Sequence, residues 1–161
     1  VYKRQDVNIM IELVPIGFVR GGRVEARDDN WALERALIEL DDKKFAADAL
    51  SGLERFSHAE VVFHFHQMEV SEIVSTARHP RNNSDWPKIG IFAQRGRARP
   101  NRIGVTICEI ITVNGLMLSV RGLDAIDGTP VLDIKPYFSG FTNRGEVREP
   151  AWAREIMSDY W

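Results

Sequence analysis

Apolar and polar residues alternate along much of this chain with the two-residue period of β-strands. The clearest case is the segment from His58 to Gln67. Its predicted core face carries Ala59, Val61, Phe63 and Phe65. Histidines and Glu60 share the other side, so the pattern predicts a strand with one core face and one polar face.

The strongest hairpin signal lies between Ile103 and Val120. The odd positions Ile103, Val105, Ile107, Ile111 and Val113 are apolar, and apolar residues alternate again at Leu116, Leu118 and Val120. Asn114-Gly115 stands between the two runs, and both residues tolerate the positive φ of a tight turn. The pattern predicts two antiparallel strands joined at that pair.

Two further segments leave alternatives open. Met10 to Arg20 is apolar and β-branched but contains Pro15, which favours an edge strand or two short pieces around a bulge. Ala32 to Leu40 has apolar residues at helical spacing, yet its end fits a strand equally well. The sequence pattern alone does not decide between the two conformations of either segment.

The remaining pattern completes a mainly β fold. It predicts a short helix at 45–50, strands at 88–94 and 131–134, and a C-terminal helix from Glu149-Pro150 through Tyr160. Five or more strands with few helices favour a closed or nearly closed β-barrel, because closure leaves no strand edge exposed. At 161 residues the chain is predicted to form one domain, 1–161.

Composition and charge bear on the cellular compartment of this chain more than on its reaction. The net charge of −2 gives no global attraction to nucleic acid or membrane. Cys108 is the only cysteine, so no internal disulfide is possible, and its apolar strand predicts a buried packing thiol. Residues 1–9 lack the apolar core of a signal peptide, and the start at Val1 suggests a trimmed or partial N-terminus. We expect a reducing, cytoplasmic compartment and no membrane contact.

Positive charge is concentrated between Arg78 and Arg102. This stretch holds seven basic residues against Asp85 alone, leaving 14 of 21 basic and 22 of 23 acidic residues elsewhere. The basic residues are Arg78, Arg81, Lys88, Arg95, Arg97, Arg99 and Arg102. Such segregation is typical of a phosphate-contacting surface, although a solvated arginine face with no partner is the alternative.

Two other clusters could bind a small ligand. The stretch from Asp124 to Pro130 reads as a tight loop, and its two carboxylates could also accept ribose hydroxyls or an amino group. On the predicted strand, His58, Glu60, His64 and His66 share one face, with Glu69, Glu72 and His79 following. A His-x-His pair could ligate a metal as in cupin barrels, yet no histidine follows His79 to complete it.

Five motifs in order carry a resemblance to a known family. They are Pro15 to Arg20, Gly52 to His58, Pro87 to Arg95, Arg99 to Gly104 and Gly122 to Tyr137. With these motifs the chain resembles the TrmO family, also described as YaeB-like and TsaA-like and related to VirR. Gly21 to Trp31 stands where many members carry a Pro-Arg-Gln element.

This resemblance implies a β-barrel methyltransferase, often a homodimer, that uses S-adenosylmethionine. The implied reaction methylates N6 of threonylcarbamoyladenosine next to the tRNA anticodon. By motif, the cofactor would contact His66, Gln67, Arg95, Val105, Leu123, Asp124, Ala125, Asp127, Gly128 and Thr129. The implied RNA contacts are Arg20, Arg97, Arg99 and Arg102. Asp127 and Arg95 are the candidate catalytic residues, and no metal is implied.

Alternatives of a different class remain at this point. A barrel methyltransferase could act on a small molecule or another non-tRNA substrate. A cupin-like metal protein resting on His64 and His66, or a module that only senses the cofactor, would fit the histidine pattern instead. Physically, methyl transfer requires alignment of donor and acceptor more than a covalent nucleophile, which suits a site of carboxylates and arginines.

Overall fold

Six antiparallel strands of this chain close into a barrel. This computed structural model describes residues 9–161. The strands are β1 Gly17–Arg20, β2 Arg35–Leu40, β3 His58–His64, β4 Ala77–Arg78, β5 Ile89–Gly90, β6 Ile103–Asn114, β7 Met117–Arg121 and β8 Pro130–Pro136. The order around the barrel is β1-β2-β7-β6-β3-β8, and β4 and β5 form a separate two-stranded sheet. The predicted mainly β barrel is therefore confirmed.

Helical structure is limited to short pieces in the described residues. The one α-helix, α1, spans Ala151–Ile156. Five 3-10 turns complete the list: Leu53–Arg55, Val70–Glu72, Pro80–Asn82, Ile91–Ala93 and Ser139–Phe141. The predicted C-terminal helix is thus present but ends before Tyr160. Within residues 9–161, no helix has the length and apolar character needed to cross a membrane. The signal-peptide analysis of residues 1–9 lies, apart from Ile9, outside the described residues.

The ambiguous segment before Leu40 is a strand rather than a helix. In β2 the side chains of Ala36, Ile38 and Leu40 are buried, with less buried residues between them. Pairing with β1 on one side and β7 on the other explains this outcome. Tertiary pairing decides the conformation where local spacing fits both forms.

Three predicted elements were wrong in extent or type. β1 begins only at Gly17, after Pro15, and it is not an edge strand because it pairs with both β2 and β8. Residues 45–50 form turns instead of a helix. The predicted strand 88–94 reduces to Ile89–Gly90 followed by a 3-10 turn.

The predicted hairpin forms, with its turn shifted by one residue. Asn114 pairs with Met117, so the turn residues are Gly115 and Leu116. Gly115 has φ of 57°, and a lone positive φ at the first turn position is accommodated by glycine.

The buried positions of β6 differ from those that its apolar pattern suggests. In its first half the even-numbered residues Gly104, Thr106 and Cys108 are buried, whereas Val105 and Ile107 are 39% and 46% exposed. A register shift between Ile110 and Thr112 follows. Because an extra residue reverses the inward side, the apolar odd positions face outwards before the bulge and Val113 packs on the core after it.

The two ends of the barrel carry different loops. β1, β3 and β7 end where β2, β6 and β8 begin, as the pairs His64 with Ile103 and Arg35 with Arg121 show. We call this the site end, and its loops are 21–34, 65–102 and 122–129. The other, the sealed end, is closed by Leu50 and Leu53, which are buried in the core cluster.

Candidate functional site

The loop 122–129 is clamped against the end of β1. The Asp127 main-chain N–H donates to the Arg23 carbonyl at 2.7 Å, and the Gly128 N–H donates to the Val19 carbonyl at 2.8 Å. The Gly21 N–H donates in turn to Asp127 Oδ1 at 2.8 Å. Gly128 adopts φ of 78°, which a residue with a side chain would hold only under strain. The Asp-Gly-Thr-Pro turn is therefore fixed in place by the neighbouring loop.

His66 reaches the same loop from the end of β3. A Cβ added at Gly128 would lie 3.8 Å from His66 Nε2, so the ring faces the turn closely. Burial lowers the pKa of His66 below its usual value, and the charge of Asp127 opposes this only in part. The imidazole is accordingly neutral at neutral pH and can accept a hydrogen bond from a ligand.

Asp124 lies deeper and has partners in the protein for both oxygens. The Thr106 hydroxyl donates to Oδ1, and the Tyr160 hydroxyl donates to Oδ2. Cys108 lies nearby, and burial together with the Asp124 charge raises the pKa of its thiol to about 12. The prediction that Cys108 is a buried packing thiol is confirmed, because its side chain is 1% exposed.

Three other predicted cofactor residues have buried side chains. Leu123, Ala125 and Thr129 are all nearly inaccessible, and Leu123 and Ala125 belong to the core cluster. The Thr129 carbonyl accepts a hydrogen bond from the Val19 N–H at 2.9 Å. Any contact that these residues make with a ligand would come from the main chain of the loop.

Arg95 and Val105, both predicted to contact the cofactor, lie next to each other in the structure. Arg95 Nη2 donates to the Val105 carbonyl at 3.1 Å, and the arginine remains exposed. Val105 precedes Thr106, which bonds Asp124, so this pair is continuous with loop 122–129. Gln67 is exposed directly after His66. We call His66, Arg95, Val105, Asp124, Asp127 and Gly128 the site cluster.

Three predicted RNA-contacting arginines are oriented by main-chain carbonyls. Arg97 donates to Ala26 at 3.1 Å, Arg99 donates to Gln94 at 3.1 Å, and Arg102 donates to Met68 at 2.8 Å. Within residues 9–161 none of the three forms an ion pair with a carboxylate. Their positive charge is held in place without being neutralised.

Two other predicted basic residues, Arg81 of the stretch 78–102 and Arg20 of β1, are paired with carboxylates. Arg81 bonds Asp29 at 2.7 Å, and Arg20 bonds Glu39 at 3.0 Å on the outside of the barrel. Arg81 is thus the one basic residue of 78–102 that forms an ion pair within residues 9–161, and the other six keep their charge unpaired.

The alternative histidine metal site gains no support from the described residues. β3 ends at His64, so His66 lies beyond the regular strand. Glu72 caps a 3-10 turn through the Glu69 N–H, and His79 Nδ1 lies 2.6 Å from the Trp86 carbonyl oxygen. In residues 9–161, no group of three His, Cys, Asp or Glu side chains is placed to hold a metal ion.

Sequence reasoning missed several residues at this end of the barrel. Thr106 is a buried hydroxyl within an apolar strand, and that residue type was the only local signal for it. Tyr160 lies 36 residues from Asp124, so no spacing could have linked them. Loop 21–34 also lines a polar cavity of about 470 Å³, which contains none of the predicted cofactor residues. Its lining residues are Arg23, Arg27, Asp28, Asp29, Asn30 and Glu34.

Comparison with known proteins identifies the family of this chain. The family model described as the tRNA-methyltransferase O N-terminal domain matches residues 27–143. The chain belongs to this family. The TrmO resemblance inferred from the five motifs is confirmed, and the matched range includes the whole site cluster.

Related proteins show the same core with different total lengths. The chain is 42% identical over 138 residues to a probable S-adenosyl-L-methionine-binding protein of Methanothermobacter thermautotrophicus, covering 84% of this chain and 96% of that protein. It is 40% identical over 102 residues to the Homo sapiens tRNA (adenine(37)-N6)-methyltransferase, covering 63% of this chain and 23% of the relative. A crystal structure of TrmO superposes with a TM-score of 0.71 at 30% identity, covering 88% of this chain and 64% of that one.

Proposed function

We propose that this chain is an S-adenosylmethionine-dependent tRNA methyltransferase whose acceptor is N6 of an adenine. The names of its relatives support the cofactor and the substrate class. The observation that carries the proposal is the convergence of His66, Arg95 and the Asp127 turn at one barrel end, beside three arginines whose charge is not neutralised. For the finer substrate, we propose threonylcarbamoyladenosine next to the anticodon.

The site cluster offers complementary groups for the cofactor. Asp127 is exposed and can accept from the ammonium or the ribose, while Arg95 can bind the carboxylate of the methionine moiety. Neutral His66 faces the same turn and can accept a further hydrogen bond. When bound, S-adenosylmethionine supplies an electrophilic methyl group on sulfur. The protein's contribution is to hold the acceptor nitrogen in line with that methyl.

Proton transfer is the remaining step for the protein. When N6 gains the methyl and the carbon–sulfur bond breaks, N6 must release one proton. Asp127 is the carboxylate of the site cluster that is exposed, whereas both oxygens of Asp124 already have protein donors. We therefore assign the proton-accepting role to Asp127.

The arginines beside the cluster are proposed to bind the anticodon stem-loop. Arg97, Arg99 and Arg102 are oriented by carbonyls and keep their charge available for phosphate. Arg20 is the weakest contributor to this surface, because Glu39 already pairs with it.

Calorimetric titration with S-adenosylmethionine and its demethylated product tests the cofactor site. Asp127→Asn retains an oxygen that can accept from the Gly21 N–H and removes the charge. Asp41→Asn is the matched control, since Asp41 Oδ1 likewise accepts a main-chain N–H, from Lys43 at 3.0 Å, away from the site end. We expect binding by wild type and Asp41→Asn and at least about tenfold weaker binding by Asp127→Asn. No binding by wild type would refute the proposal.

Methyl transfer to tRNA tests the substrate. Transcripts without modification, tRNA carrying threonylcarbamoyladenosine and a free nucleoside are compared, with nucleoside analysis of the product. Methylation of the modified tRNA alone supports the finer proposal. Transfer to the free nucleoside at equal rate would favour the small-molecule alternative.

Assembly and location are part of the same proposal. We propose a homodimer acting in the cytoplasm, where tRNA is modified. The exposed Val105 and Ile107 on the outer face of β6 are candidate interface residues. Sedimentation at several concentrations measures the mass, and a monomer throughout would refute the dimer. Cell fractionation tests the location.

A further inference from the structure

The segment after α1 returns to the site end of the barrel. The Asn30 N–H donates to the Asp159 carbonyl and the Trp31 N–H donates to the Tyr160 carbonyl, both at 2.8 Å. Trp86 Nε1 donates to Glu155 Oε2 at 2.7 Å. These contacts attach residues 155–160 to loops 21–34 and 65–102. The whole segment lies beyond residues 27–143, which the family model matches.

Tyr160 is the one residue of this segment that bonds into the site cluster. Its hydroxyl donates to Asp124 Oδ2, while Thr106 donates to the other oxygen. Burial is the main cause that raises the pKa of Tyr160. The negative charges of Asp124 and Asp28 raise it further, whereas the positive charge of Arg81 lowers it. The hydroxyl is thus a proton donor throughout the neutral range.

We propose that Tyr160 is a positioning residue that holds Asp124 inward and thereby presets loop 122–129 for cofactor binding, an inference that rests on the proposed function. With both oxygens satisfied, Asp124 faces Thr106 and Tyr160 rather than the solvent. Asp127, three residues later, is then the carboxylate left for the ligand. Loss of one donor leaves a partly buried oxygen of Asp124 unsatisfied, which is costly. We therefore expect Asp124 to turn towards water and to loosen the loop that carries it.

The substitution Tyr160→Phe removes only the hydroxyl. It retains the aromatic ring, which packs edge-on against Trp161 at 5.0 Å between centroids. Glu155→Ala is the control, because it removes the other side-chain attachment of the segment and leaves Asp124 untouched. Comparing the two separates the effect on Asp124 from general loosening of the segment.

Hydrogen exchange of the loop 122–129 amides is the first readout, and it needs no cofactor. Tyr160→Phe should accelerate exchange at the Asp127, Gly128 and Thr129 amides, which all donate to carbonyls in the native state. Glu155→Ala should leave these amides unchanged. Equal exchange in wild type and Tyr160→Phe, or equal acceleration in both variants, would overturn the inference.

Cofactor kinetics are the second readout. Tyr160→Phe should raise KM for S-adenosylmethionine about tenfold with kcat changed less than about twofold, because a preset loop acts on binding. A loss confined to kcat would contradict a positioning role. If wild type binds no S-adenosylmethionine, the proposed function fails, while accelerated exchange confined to loop 122–129 would still establish the coupling between Tyr160 and Asp124.

Discussion

The two ends of this barrel differ in what closes them. At the sealed end, Leu50 and Leu53 are buried in the core cluster, and Phe45, Phe56 and Leu116 pack against that cluster. The hairpin there needs only Gly115 and Leu116 to turn. At the site end three long loops carry arginines and carboxylates, joined by hydrogen bonds such as Gly21 to Asp127 and Arg97 to Ala26. The sealed end is closed mainly by apolar packing, whereas the site end combines buried residues such as Leu123 and Ala125 with these polar contacts.

This difference separates stability from binding. Apolar burial at the sealed end stabilises the barrel in proportion to the area removed from water. The exposed charged side chains of the site-end loops contribute little net stability, since exposed ion pairs are worth about 0–1 kcal/mol each. Substitutions at the sealed end should therefore change the free energy of unfolding, and substitutions at the site end should change binding.

Truncation of the sealed end should have the largest effect. Leu53→Ala should lower the free energy of unfolding by about 2–4 kcal/mol, because it leaves a cavity where Leu53 packs on the core. Denaturant titration measures this. The control is Leu33→Ala in a site-end loop, where the side chain is 81% exposed and the expected change is below about 0.5 kcal/mol. S-adenosylmethionine affinity should survive in folded Leu53→Ala, and its loss would show that the two ends are coupled.

Removal of one of the arginines that main-chain carbonyls orient should weaken RNA binding and leave cofactor binding unchanged. Arg99→Ala should weaken tRNA binding about tenfold and reduce the slope of log affinity against log salt by about one, while cofactor affinity is unchanged. Filter binding at several salt concentrations measures both quantities. Arg55→Ala, the same substitution near the sealed end, should leave both unchanged. Loss of cofactor affinity in Arg99→Ala would instead assign Arg99 to the site cluster.

Acid should destabilise the site end. Burial lowers the pKa of His64, and the charges of Arg102 and His66 lower it further. Burial also lowers the pKa of His66. Because each folded-state pKa lies below its unfolded value of about 6.5, protonation favours the unfolded chain, and stability falls as pH drops from about 7 to about 5. Denaturant midpoints across this range measure the slope.

The double variant His64→Gln/His66→Gln should flatten that pH dependence. His58→Gln, at the opposite end of the same strand, should retain it. An unchanged slope in the double variant would place the responsible groups elsewhere.

Loss of a neutralised arginine should have the smallest effect. Arg20→Ala should change stability by less than about 0.5 kcal/mol and tRNA affinity by less than about twofold, because its charge is already paired with Glu39 on an exposed surface. The same binding and denaturation assays apply. A loss of tRNA affinity as large as that of Arg99→Ala would show that RNA displaces Glu39 from this pair.

Much of the fold could be predicted where local pattern and burial agree. In β3 the predicted core residues Ala59, Val61 and Phe63 are all buried. In β6 the apolar pattern did not predict the buried face, because Val105 and Ile107 face outwards while Thr106 is buried. A bulge reverses the inward side of a strand, and nothing in the alternation marks where it falls.

The candidate site likewise has a part that the sequence could predict and a part that it could not. Its motifs indicate His66, Arg95 and the Asp127 turn, and the structure brings these residues to one barrel end. The RNA contacts implied by the resemblance did not distinguish Arg99 from Arg20, because the ion pair of Arg20 with Glu39 forms only when β1 and β2 pair.

The sequence by itself determined the mainly β character, the family and the residues of the Asp127 turn, since these depend on neighbours along the chain. Only the tertiary structure decided that 35–40 is a strand, that Val105 faces outwards and that Tyr160 bonds Asp124. Each of these depends on strand pairing, burial or a donor that is distant in sequence. Such interactions acquire their energy only when the barrel has closed and excluded water from its interior.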